Sequence, residues 1–131
     1  MACPCGTGRE YAACCGRLHE GAMPPSPEAL MRSRYSAYAR GLVEYVLDTT
    51  HPGGPRWRTD RQAWAADVRG FCEETKFEGL TVHGFGFDPD GAAWVDFTAS
   101  LRQHGGDASF RERSRFRPHQ GRWAYLEGTP R

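Results

Sequence analysis

A chain of 131 residues suits one ordinary domain with at most a small appendage. Its apolar content of 39% and charged content of 25% belong to a folded globular protein, not a disordered one. A formal net charge of +1 makes no global demand for nucleic acid or an anionic membrane, and no apolar run approaches the ~20 residues that span a bilayer. The N-terminus shows no apolar leader segment, so the expected compartment is the cytoplasm, where thiols stay reduced.

Four of the five cysteines fall in "CPCGTGREYAACCG", residues 3 to 16. The pattern is Cys3-x-Cys5, eight residues, then the adjacent pair Cys14 and Cys15. Two short pairs separated by a turn are how a small peptide supplies a tetrahedron of sulfur to zinc. Gly6 and Gly8 permit the sharp turn after Cys5, and Tyr11 to Ala13 form the helical turn that delivers the second pair. Adjacent cysteines bridge each other only under strain, and tight clustering in a reducing compartment favours metal over disulfide. So short a segment buries no core, so one zinc held by Cys3, Cys5, Cys14 and Cys15 supplies its folding energy. Four thiolates close the site, which makes the metal structural. Arg9 and Arg17 lie near enough in sequence to offset its negative charge, and His19 is a possible substitute ligand.

A linker rich in proline and glycine follows, and the division expected is 1–21 for the knuckle and 22–131 for an α+β domain. Ser26 caps a helix with Pro27 at its first position, running from Glu28 to about Arg40. Met31, Tyr35, Tyr38 and Leu42 share its apolar face. Gly41 weakens it there, and a second short helix runs from Leu42 to Thr49. After a loop at residues 50 to 55, a helix from Asp60 to Thr75 carries Trp64, Val68, Phe71 and Cys72 in one stripe. Cys72 is expected to pack as a small hydrophobe. From Phe77 the period changes to two: strands are expected over Phe77–Phe87, Ala92–Arg102, Ser109–Arg117 and Arg122–Gly128. Helices first and a four-stranded antiparallel meander afterwards give an α+β fold, with the helices on one face of a curved sheet. Symmetric hairpins put Leu80, Val82, Val95, Phe97, Leu101, Phe110, Phe116, Trp123 and Tyr125 on that face.

"CPCGTGREYAACCG" resembles the SEC-C motif, the zinc-binding tail of the SecA translocase, with Thr7 in place of the usual serine and Cys15 where the translocase has histidine. The resemblance assigns Cys3, Cys5, Cys14 and Cys15 as zinc ligands. It also implies protein contacts in protein export or near the ribosome. "EALMRSRYSAYARG", "THP", "ERSRF" and "GRWAYLEG" are similar to the YchJ family of small bacterial proteins. That similarity implies a nuclear transport factor 2-like, or cystatin-like, domain, a fold that often holds a pocket between helices and sheet and includes some isomerases and hydratases. It assigns no biochemical role.

Three further features call for explanation. Glu112 sits on the apolar face between Phe110 and Ser114, where a carboxylate must find a partner or shift its pKa upward. The expected reading is a strut: Glu112 pairs with Arg32 or Arg34 of the first long helix. The alternative is a ligand-binding or enzymatic pocket lined by Glu112, Tyr35, Tyr38 and Tyr125. The stripe Arg111, Arg113, Arg115 and Arg117 occupies the opposite face, with Trp94, Phe85 and Phe87 placed beside it. It reads as a solvated face or partner surface, with RNA or ribosome binding as the alternative. His51, before Pro52, is expected to shape a loop. The favoured function is a zinc-containing protein-interaction module, not an enzyme.

Overall fold

The computed structural model describes residues 1–131. A 3-10 turn at Tyr11–Ala13 leads into α1 (Cys15–His19). Helix α2 (Pro27–Arg40) starts where the Ser26 hydroxyl accepts the Ala29 N–H at 3.1 Å, with Pro27 at its first position. It ends at Gly41, whose φ of 70° is left-handed and turns the chain out of the helix. Helix α3 (Val43–Asp48) follows directly. Helix α4 (Arg61–Glu74) starts where the Asp60 carboxylate accepts the Ala63 N–H at 3.1 Å. No helix is long and apolar enough to cross a membrane.

The sheet comprises β1 (Thr75–Phe87), β2 (Ala93–Gln103), the two-residue β3 (Gly106–Asp107), β4 (Phe110–His119) and β5 (Arg122–Pro130). All pairs are antiparallel in the order β1-β2-β4-β5, with β3 paired to β2 alone. His104-Gly105 and Gln120-Gly121 both take positive φ, the backbone that two-residue hairpin turns require to match strand twist.

Three register shifts bend this meander: in β1 between Phe77 and Gly79 and between Val82 and Gly84, and in the β4–β5 pair at Arg115/Phe116. The shift in β1 beyond Val82 corrects one expectation. Phe85 and Phe87 lie opposite Val95 and Ala93, so they share the core side of the sheet and do not flank the arginines. Gly84 and Gly86 occupy the arginine side instead, and the Trp94 ring packs so closely on Gly86 that a Cβ there would overlap it. The aromatic pair stays exposed, at 63% and 66%.

The main core joins Leu30, Met31 and Tyr35 of α2 to Val95, Phe97 and Leu101 of β2, with Phe116 and Tyr125. A smaller cluster of Val43, Leu47 and Trp64 locks α3 to α4. The other side of α2 is covered by the cysteine knuckle. Ser33 and Ser36 are fully buried beneath it. Arg32 Nη1 donates to the Cys5 carbonyl at 2.7 Å, His19 Nε2 lies 2.8 Å from the Ser33 carbonyl, and the Arg40 guanidinium stands 3.9 Å over the Tyr11 ring.

No knuckle residue belongs to the main apolar core. Deleting residues 1–20 is therefore expected to leave a cooperative unfolding transition in urea, at a lower midpoint because the polar clasp on α2 is gone. A truncated chain without a cooperative transition would make the knuckle part of the main fold.

Candidate metal centre and cavity

The knuckle gathers four sulfurs. The Sγ atoms of Cys3, Cys5, Cys14 and Cys15 all lie within 4.8 Å of one another, and three of the four residues are buried. A tetrahedron of sulfurs at ~2.3 Å from zinc has edges of about 3.8 Å, so the set fits a tetrathiolate ion with little movement. Cys5 and Cys14 stand 3.6 Å apart, far beyond the ~2.05 Å of a disulfide, and all five cysteines are free. Hydrogen bonding from the Cys15 thiol is the main reason the Cys5 thiol is pushed down to about 4; Cys15 is pushed up in turn. The Thr7 hydroxyl lies 3.3 Å from Cys14 Sγ and 3.6 Å from Cys5 Sγ, placed to orient two ligands at once. Gly6 passes so close to the Leu80 carbonyl that a side chain there would collide with the β1 backbone.

His19 is not a member of the sulfur cluster. Its Nδ1 lies 2.6 Å from the Tyr11 hydroxyl and its Nε2 donates to the Ser33 carbonyl, so both nitrogens are spoken for. A carbonyl only accepts, which fixes the proton on Nε2 in the neutral ring. Burial holds its pKa below the ordinary imidazole value. The residue clasps knuckle to helix.

A cavity of about 480 Å³ opens between α2, α4 and the sheet. Met31, Val68, Phe71, Phe77, Phe97 and Phe116 contribute to its apolar wall. Glu112, Tyr35, Tyr38 and Tyr125 all line it. Tyr35 is anchored, its hydroxyl accepting the Gly79 N–H that the first bulge frees. Tyr125 is pushed up to about 12, chiefly by burial and next by the nearby Glu112 charge.

The expected strut from Glu112 is absent. Arg32 points to the opposite side of α2, where it holds Glu28 and the Cys5 carbonyl. Arg34 Nη1 is taken by the Val46 carbonyl at 2.9 Å and the Thr49 and Thr50 hydroxyls at 2.7 and 3.2 Å. Glu112 instead accepts from the Ser114 hydroxyl at 2.8 Å. The β5 bulge sets Gly128 opposite Ser114, and the Glu112 carboxyl fills the space that a Cβ on Gly128 would need. Sequence reasoning missed this seat because a one-residue bulge leaves no mark in the alternation.

On the opposite face every arginine of the stripe meets a carboxylate. Arg111 and Arg113 pair with Asp96, Arg115 with Asp88, Asp90 and Glu127, and Arg117 with Asp90. The Arg111 guanidinium holds Asp96 below the usual carboxylate range. Arg113 also stacks 3.8 Å over Trp94. His51 shapes its loop by accepting the Gly53 N–H at 2.9 Å. Cys72 is half-buried on α4, and that burial pushes its thiol up.

A four-cysteine knuckle clasped to a helix-covered antiparallel sheet defines the class. Residues 2–17 match the SEC-C motif, and residues 26–128 match the family described as YchJ, middle NTF2-like domain. A UPF0225 protein of Deinococcus radiodurans is 43% identical over 129 residues, covering 97% of this chain and 88% of its own. The solution structure of a SEC-C motif containing protein from Rhodopseudomonas palustris matches with a TM-score of 0.81 at 38% identity, over 100% of this chain and 99% of its own. A crystal structure of a SEC-C motif containing protein from Psychrobacter arcticus gives 0.79 at 25% identity, over 100% and 83%. The chain belongs to the YchJ family, and its cysteine cluster is compatible with metal binding.

Two measurements test the site. Below about pH 6.5 the unfolded chain binds a proton at His19 that the folded chain resists. Stability present above that pH is therefore lost as pH falls, and the loss between about pH 7.5 and 6 should be smaller in His19→Gln. Identical slopes would remove His19 from the pH response. Glu112→Gln breaks no ion pair and keeps an acceptor for Ser114, so urea unfolding should change by less than about 1 kcal/mol. A loss of about 3–5 kcal/mol would restore the ion-pair strut.

Proposed function

We propose that the chain is a zinc-stapled protein-interaction module of the cytoplasm, with one structural zinc on Cys3, Cys5, Cys14 and Cys15. The observation that carries this reading is the closure of the sulfur cluster: four thiol ligands, three of them buried, leave a tetrahedral ion no open position for a substrate or water. Zinc is favoured over other metals because four thiolates at this spacing suit a soft tetrahedral site. The cytoplasm is favoured because the cluster needs reduced thiols and no disulfide forms among the five cysteines. The ion's work is to fix the knuckle and, through His19 and Arg32, its position on α2.

The partner is another protein, with the export machinery and the ribosome favoured by the SEC-C resemblance. On the knuckle's outer side, a groove lined in part by Arg9, Arg17, Leu18 and Met23 offers two arginines without carboxylate partners beside apolar surface. A partner segment with acidic residues fits that chemistry. Nucleic acid is the weaker reading, since the stripe from Arg111 to Arg117 is already paired with carboxylates of the same face.

Metal analysis of the purified chain should find one zinc per molecule, and Cys3→Ser should lower that content and weaken capture of the partner. Purified protein with a folded knuckle and no metal would refute the zinc. Unchanged partners after zinc loss would refute the knuckle as the interface.

A further inference from the structure

We propose that the cavity between α2, α4 and the sheet binds a small monoanionic organic acid with an apolar body, its carboxylate held by Arg34 and Arg56 beside the Tyr125 hydroxyl. This goes beyond the metal site and stands independently of it. The charged residues lining the cavity are Arg34, Arg56, Arg58, Asp67 and Glu112, a formal net of +1 from three cations and two anions. Arg58 and Asp67 form an ion pair with each other. Glu112 lies outside ion-pair reach of any cation and is held by Ser114. What remains is Arg34 and Arg56 against the one carboxylate of Glu112, a formal net of +1.

Arg34 is the central group. It is only 8% exposed and has no carboxylate partner. Its hydrogen bonds all leave from Nη1, toward neutral oxygens of Val46, Thr49 and Thr50. No hydrogen bond leaves from Nε or Nη2, and the residue lines the cavity. A buried cation paired only with neutral acceptors retains a large part of its desolvation cost, and an incoming carboxylate relieves it with charge-assisted hydrogen bonds. The guanidinium stands 4.5 Å from the Tyr125 ring centroid, and Arg56 lines the same cavity. The three groups line one cavity. The apolar wall beyond them takes the rest of the ligand, and 480 Å³ is within the usual size of a small-molecule site.

The test uses the full zinc-loaded chain, with zinc content measured on the same sample so that metal loss is not mistaken for ligand failure. Cyclohexanecarboxylate and its uncharged amide are titrated while amide NMR shifts are followed. The acid is expected to bind with a Kd of about 1 mM or tighter, to shift the amides of Thr50, Glu112 and Tyr125, and to exceed the carboxamide at least tenfold. Arg34→Met should abolish acid binding. Because Arg34 also ties α2 to α3, that variant is paired with Arg56→Gln and Tyr125→Phe, which remove one exposed cation and one hydroxyl. Each is expected to weaken the acid about three- to tenfold and leave the amide unchanged. Equal binding of acid and amide would overturn the proposal, as would shifts confined to the outer sheet face, no response to the acid at about 10 mM, or Arg56→Gln and Tyr125→Phe both binding like the wild type.

Discussion

A helix buried on two sides has to satisfy two different neighbours, and the rest of this fold is arranged around α2 doing so. Its sheet side is apolar, with Leu30, Met31 and Tyr35 in the main core. Its outer side is small and polar, and Ser33 and Ser36 are sealed under a knuckle that has no apolar core to offer in return. The contact there is therefore made of directed bonds: an arginine to a carbonyl, an imidazole between a phenol and a carbonyl, a guanidinium on a ring. Such contacts depend on geometry more than area, so they require a rigid knuckle. The cluster of four cysteines, compatible with metal binding, is where so short a segment can gain that rigidity.

Arginine plays two opposite parts in this chain. On the outer face of the sheet the arginines are neutralised by Asp96 and Glu127 of neighbouring strands and by Asp88 and Asp90 of the β1–β2 turn, which makes that face a lattice of ion pairs with little net field. Inside, Arg34 is surrounded by hydroxyls, a carbonyl and an aromatic ring, and meets no carboxylate. The same residue type thus builds a surface in one place and polarises a cavity in another; the difference lies in whether a carboxylate is within reach.

The features legible in the sequence were those set by local chemistry. The four cysteines come together because their spacing is short and their neighbours are glycines. Ser26 caps where a cap was expected, and the strands fall where the period becomes two. What stayed hidden depended on single-residue shifts or on distant packing. One extra residue after Val82 reverses the side on which Phe85 and Phe87 stand. Another in β5 gives Glu112 a glycine-walled seat and leaves it without a cation. The docking of the knuckle against Ser33 and Ser36 was equally invisible, since small polar residues on a helix read as solvent-facing until something covers them.

Strand β1 is an edge of the sheet, and it is long, glycine-bearing and aromatic at its far end. Open edges of this kind invite pairing with another chain. Near its middle the backbone at Leu80 is covered by Gly6 of the knuckle, and just beyond it the bulge at Val82 interrupts the ladder. The knuckle therefore acts as a guard rail for the strand as well as a brace for the helix. Were the knuckle displaced, the open edge would lengthen toward Leu80, so the seating of the knuckle governs how much of β1 is free to pair.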